Sequence, residues 1–144
     1  MRQTLTLATA CINTTPLDLD GNLALIRQAV IEAQAARADL LLLPELALTG
    51  YGCEDMFFVA DWLDSLPGEL MALSQSLPEQ LLVAVGFPLH VPGGQVFNGV
   101  ALLSRGKLHG VVCKQHLARS GIHYEPRWFT PWPAGQVSTI ALAG

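Results

Sequence analysis

Four leucines, Leu40 to Leu43, are stopped abruptly by Pro44 and Glu45, and they follow a helix-patterned stretch that itself follows an apolar segment. No other feature constrains the fold as much. Leu5 to Cys11 reads as a first strand, buried on both faces. Asp18, Asp20 and Gly21 mark a turn and a helix start. Leu23, Ile26, Val30 and Ala33 recur at helical spacing, which predicts an amphipathic helix over residues 22–36. The leucine run is then a second strand. Strand, helix, strand makes a βαβ unit, whose strands run parallel in a layered α/β domain.

Downstream, residues 46–64 read as a long connection containing Gly50, Tyr51, Gly52 and Cys53. Pro67 and Gly68 open a second predicted helix with Leu70, Leu73 and Leu77 on one face. Leu81 to Phe87 is a third strand, ended by Pro88. Val96 to Leu103 and Leu108 to Cys113 bracket Ser104-Arg105-Gly106-Lys107, a hairpin pattern with glycine in the turn. Lys114 to Gln136 is irregular and aromatic, and Val137 to Ala143 reads as a further strand. A strand with no helix after it leaves a layered domain looking unfinished. That predicts an unpaired sheet edge, exposed apolar surface and poor solubility for this chain alone.

Composition narrows the function classes. Half of the 144 residues are hydrophobic and only 14% are charged, enough apolar material for one domain with buried strands. The formal charge is −4 and the eight Lys and Arg are scattered, so no basic patch for nucleic acid is expected. Mean hydropathy is positive, but the densest apolar run falls far short of the ~20 residues that a membrane span needs. Met1 to Ala10 has one basic residue but only a short apolar stretch and no small-residue cleavage site, so a first buried strand fits it better than a signal peptide. Cys11, Cys53 and Cys113 are an odd number without framework spacing, which points to a reducing cytoplasm.

Three stretches carry chemistry. Glu45 stands at the carboxyl end of an apolar strand, where ligands bind in α/β sheets. Burial raises a carboxyl pKa and a nearby cation lowers it, so such a group can be tuned toward a base. From position alone, a helix-capping or ion-paired glutamate fits equally well. Lys114, at the end of another apolar strand, can pair with that carboxylate and stabilise a developing oxyanion, or simply be solvated. In the loop His123-Tyr124-Glu125-Pro126-Arg127-Trp128-Phe129-Thr130-Pro131-Trp132, aromatics interleave with one acid and one base. That pattern fits a pocket wall, or a surface loop pinned by tryptophans. Cys113, His116 and His123 match no common zinc spacing and lack a fourth ligand, so no metal site is expected.

Pro44-Glu45-Leu46-Ala47-Leu48-Thr49-Gly50-Tyr51 and Lys114-Gln115-His116-Leu117 resemble the glutamate and lysine motifs of the nitrilase (carbon–nitrogen hydrolase) superfamily. Gly50 to Asp55, Val85-Gly86-Phe87-Pro88, Asn98 and Arg127 to Trp132 narrow the likeness. They are similar to the glutaminase domain of glutamine-dependent NAD synthetases of the eukaryotic type. The resemblance implies an αββα sandwich, of which residues 1–144 form the N-terminal half to two-thirds, with no synthetase domain. It implies Glu45 as general base, Lys114 as stabiliser of the tetrahedral intermediate, Glu125 as a supporting carboxylate and Tyr51 as a wall of the glutamine pocket. The domain itself needs no cofactor; ATP and Mg would act in the absent synthetase domain of the same longer chain. Ammonia from glutamine would amidate deamido-NAD there, and the assembly would be a homo-oligomer.

Such chemistry needs a cysteine nucleophile that forms a thioester, and in the family it lies beyond the matched region. Cys113 neighbours Lys114 on a strand, so the two face opposite sides. Cys11 falls in an apolar strand and Cys53 in the glutamate loop. The nucleophile is therefore expected to be absent from this chain, and the chain alone to be inactive. Two other readings stay open: a free-standing amidase acting on another small amide, and a non-catalytic interaction module.

Overall fold

The structure, a computed structural model, describes residues 4–142. Its centre is one five-stranded sheet in the order β1 (Leu7–Thr9), β2 (Leu40–Leu42), β3 (Leu82–His90), β4 (Val96–Ser104), β5 (Lys107–Cys113). β1, β2 and β3 run parallel, while β3–β4 and β4–β5 are antiparallel. The carboxyl ends of β2 and β5 and the start of β4 therefore meet at one edge of the sheet. The mixed sheet and its helices agree with the expected α/β architecture, and the sheet is not closed.

Helix α1 (Leu19–Ala35) starts three residues earlier than the periodicity predicts because the Asp18 carboxylate caps it, accepting the Gly21 N–H at 3.0 Å. Gly21 permits that approach, since a Cβ there would lie 2.2 Å from Asp18 Oδ2. Helix α2 (Ala60–Gln75) corrects the expected start at Pro67, which is its eighth residue. Leu63 and Leu66 are buried on the stripe that Leu70 and Leu73 continue. Burying two leucines, about 2 kcal/mol each, offsets an interior proline's cost of about 3 kcal/mol. Leu77 is buried just past the helix end.

β3 does not stop at Pro88 but runs on to His90. The Asn98 carbonyl accepts from the Lys114 N–H on the β5 side, so the Pro88–Asn98 pair is a non-hydrogen-bonded one. The Pro88 nitrogen thus faces away from β4, beyond the last β2 pairing at Ala84, and no ladder bond is lost. The hairpin turn holds as read: Arg105 and Gly106 both have positive φ, 51° and 70°, matching the twist of the strands they join.

One sheet face is packed along its length, and the other is covered at β3 but open at β1, β2 and β5. Leu41, Val83, Val85, Phe87, Ala101 and Leu103 share the packed face and are buried with the helix stripes. Leu7, Leu42 and Val112 alternate onto the other face and are 65%, 47% and 63% exposed. This corrects the reading of a first strand buried on both faces, whereas β3 is buried on both from Val83 to Leu89. β1 is a three-residue edge strand, and Cys11 beyond it is exposed rather than core. The strand expected from Val137 to Ala143 is not formed through Leu142, and Ala143 lies outside the described residues. Ile140 and Leu142 instead pack near Leu108 and Met71 beside α2.

Candidate active site

Glu45 is placed by a turn that folds back on β3. Leu43 N–H donates to Ala84 O and Leu48 N–H to Gly86 O, each at 3.0 Å, clamping residues 43–48 against the strand. Gly86 makes this possible by contact alone: a Cβ would stand 2.4 Å from both Pro44 O and Leu46 N. From the other side the fully buried Asn22 amide of α1 ties the turn down, donating to Leu48 O at 3.2 Å and to Thr15 O at 2.9 Å. A backbone held on two sides aims a side chain more firmly than a free loop does.

The Glu45 carboxylate reaches across β3 to β4 and β5. Its Oε1 accepts from Lys114 Nζ and from Asn98 Nδ2, both at 2.6 Å. Among the described residues no donor meets Oε2. Lys114 Nζ also donates to Glu125 Oε1 at 3.0 Å, which leaves one of its three N–H groups for a ligand. Glu125 is only 1% exposed and is satisfied in full: Tyr51 O–H donates to Oε1 at 2.9 Å and Ala118 N–H to Oε2 at 2.8 Å. His123 Nδ1 lies 3.5 Å from the Tyr51 hydroxyl, with the rings edge to face.

The electrostatics follow from one cation between two carboxylates. Burial alone would lower the Lys114 pKa, but its hydrogen bonds to Glu45 and Glu125 outweigh that and leave it raised. Burial pushes Glu125 up, yet the Ala118 N–H, Lys114 and Tyr51 together hold it below the usual carboxylate range. Tyr51 is raised, first by burial and then by its bond to Glu125, so it stays a phenol and a donor. The Lys114–Glu45 pair is partly exposed, at 31% and 40%. Such a pair contributes about 0–1 kcal/mol to stability, so the fold does not depend on it.

The loop that walls the site is pinned by contacts outside it. Asp55, in the 3-10 turn Glu54–Phe58, accepts from Trp128 Nε1 at 3.2 Å and from Arg127 through both of its oxygens. The Trp128 and Arg127 donors hold its carboxyl below the usual range. Phe57 packs edge-on to Trp128 and at a tilt to Phe129 beneath this clamp.

All four residues singled out in the sequence, Glu45, Lys114, Glu125 and Tyr51, thus join one hydrogen-bonded network. Asn98 and the Ala118 N–H complete it, and reading for charged residues alone passes over both. The signal for Asn98 was a lone amide in an otherwise apolar strand. The cysteines stand apart. Cys113 pairs with Gly99 on the packed face, opposite the Lys114 side, and burial pushes its thiol up to about 11. The buried Cys53 thiol donates to Thr49 O at 3.1 Å, and burial raises it as well. Cys11 follows β1 at the sheet edge farthest from β5. Among the described residues no group of three or more His, Cys, Asp or Glu could hold a metal ion.

A family model described as carbon-nitrogen hydrolase matches residues 6–142. The chain is 33% identical over 132 residues to the glutamine-dependent NAD(+) synthetase of Arabidopsis thaliana, covering 89% of this chain and 18% of that one. The crystal structure of a glutamine-dependent NAD(+) synthetase from Cytophaga hutchinsonii superposes with a TM-score of 0.88 at 38% identity, over 96% of this chain and 23% of that one. An amidase of Nesterenkonia from the nitrilase superfamily shares the fold, with a TM-score of 0.73 at 24% identity over 90% of this chain and 48% of that one. The chain spans less than a fifth of the length of the curated synthetases it matches.

Proposed function

The chain belongs to the carbon–nitrogen hydrolase family, and on that premise we propose that it is part of a glutaminase domain supplying ammonia to the ATP-dependent amidation of deamido-NAD. The observation that carries the reading is the Lys114 ammonium held between Glu45 and Glu125 at the carboxyl ends of β2 and β5. Glu45 Oε2 is the open lone pair. In this role it takes the proton of a cysteine thiol, whose sulfur attacks the glutamine amide carbonyl. The free Lys114 N–H steadies the oxyanion. Collapse expels ammonia, which receives its proton from Glu45, and leaves a thioester. Glu45 then draws a proton from water, which cleaves the thioester to glutamate and restores the thiol.

Tyr51, beside His123, lines the glutamine pocket in this reading, and Glu125 supports the lysine. The nucleophile belongs to a segment other than residues 1–144, since no described cysteine reaches Glu45. Deamido-NAD, ATP and Mg would be handled by a synthetase domain of a longer chain, in a homo-oligomer and in a reducing cytoplasm. Relatives that carry the synthetase name support the synthetase domain in a longer chain.

Ammonia release from glutamine by the full-length polypeptide tests the reading. Glu45→Gln is expected to lower kcat by about 10²–10⁴-fold, the usual weight of a general base. The 144-residue chain alone is expected to release none; thiol-sensitive release from it would return the nucleophile to Cys11, Cys53 or Cys113. Faster hydrolysis of acetamide than of glutamine would favour a free-standing amidase, whose fold this chain shares. No turnover of either amide by the full-length polypeptide would favour a non-catalytic module.

A further inference from the structure

We propose that Asn98 is a positioning residue for Glu45, selecting Oε2 as the oxygen that works as base. Asn98 lies on β4 at 4% exposure, in a strand otherwise built of apolar residues and glycine up to its last residue, Ser104. Burying an amide there is unfavourable unless it is bonded, and the ladder does not need its side chain. Its Nδ2 stands 2.6 Å from Glu45 Oε1. The orientation of the amide is fixed by chemistry, because a carboxylate oxygen beside it can only accept.

Two donors, Asn98 Nδ2 and Lys114 Nζ, converge on the same oxygen. A carboxylate pinned through Oε1 from two directions cannot rotate about its last torsion without breaking both bonds. Oε2 is then the one oxygen presented to a substrate. Asn98 also sets the lysine, since its carbonyl accepts the Lys114 N–H at 2.8 Å. One residue thereby registers both charged groups, by its side chain on one and its backbone on the other. Only the side-chain half of that role is open to substitution.

The kinetic part of the test rests on the glutaminase reading; the structural part does not. Asn98→Leu keeps the bulk and the apolar strand but removes the donor. Asn98→Asp keeps the shape and replaces the donor with an acceptor. In the full-length polypeptide both are expected to lower kcat by about 10–100-fold, the cost of a base misplaced by about 1 Å, with KM changed much less. Asn98→Asp should be the worse at neutral pH although it is the closer in shape. Its activity relative to wild type should recover as the pH falls, because a protonated carboxyl can donate. Crystal structures of the same variants should show the Glu45 carboxylate turned away from its wild-type position.

Wild-type kcat in both variants, or Asn98→Asp milder than Asn98→Leu at every pH, would overturn the proposal and leave the glutaminase reading intact. So would an unmoved Glu45 carboxylate in either variant structure. A wild-type polypeptide inert toward amides, with the carboxylate displaced in the variants, would instead sink the glutaminase reading and support the positioning role.

Discussion

Glu125 accepts Lys114 Nζ at 3.0 Å from a position that is 1% exposed, so the outer lysine is held from beneath by a buried carboxylate. The buried partner stabilises this pair and the exposed Glu45 uses it. Removing Glu125 takes an acceptor from three donors at once: Lys114, the Tyr51 hydroxyl and the Ala118 N–H. Glu125→Ala is expected to destabilise the chain by about 3 kcal/mol, in the range for breaking a buried pair, whereas Glu45→Ala should cost under about 1 kcal/mol. Urea unfolding of the two variants checks the ordering; equal costs would mean that Glu125 is not the anchor.

The same network fixes how stability responds to pH. Lys114 is raised above its ordinary 10.5 and Glu125 is lowered below its ordinary 4.5. The lysine's contribution is whole below 10.5 and lost as pH rises through its raised value. The glutamate's is whole above 4.5 and lost as pH falls through its lowered value. The stability difference between wild type and Lys114→Met should therefore be level between those limits and shrink on both sides. A difference that changes across neutral pH would contradict this account of the pair.

The strand-end residues were legible because each sits where an apolar run meets a loop, and such points fall at one sheet edge once β2 and β5 are known to point the same way. The four-leucine run and the hairpin turn announced that geometry. Pro67 and Pro88 misled for one shared reason. Proline forbids a donor, but whether a donor is needed depends on neighbours that local sequence does not reveal. Pro88 faces away from β4 past the end of β2, and Pro67 lies in a helix whose leucines on either side are buried. The exposure of β1 was missed because an apolar run looks the same whether one face or both are covered, as both are at β3.

Gly86 carries the turn that aims Glu45. A Cβ added there would meet backbone atoms of Pro44 and Leu46 at 2.4 Å, and these cannot swing aside like a side chain. Gly86→Ala is expected to push residues 44–46 off β3 and to cost about 1–3 kcal/mol, the usual range of an overpacked core site. In the full-length polypeptide it should also lower kcat well beyond the loss of folded protein. Thermal melting together with kcat per folded molecule separates the two effects. A variant with wild-type melting and turnover would show that the turn has room to relax.

The open face of the sheet sets how this chain behaves in solution. Leu7, Leu42 and Val112 alternate onto that face, each about half exposed or more. β1, which carries Leu7, is a three-residue edge strand whose outer side pairs with no strand among the described residues. Exposed apolar side chains on one sheet face favour association unless something covers them. The 144-residue chain is therefore expected to self-associate, with a mass in light scattering that rises with concentration. Paired Leu42→Lys and Val112→Lys substitutions should reverse this, since both side chains leave the packed face untouched and like charges repel across it. Their effect on melting should be small, because neither position belongs to the buried leucine cluster. A wild-type chain that stays monomeric as it is concentrated would mean that this face is solvated stably as it stands, and the lysine pair would then change nothing.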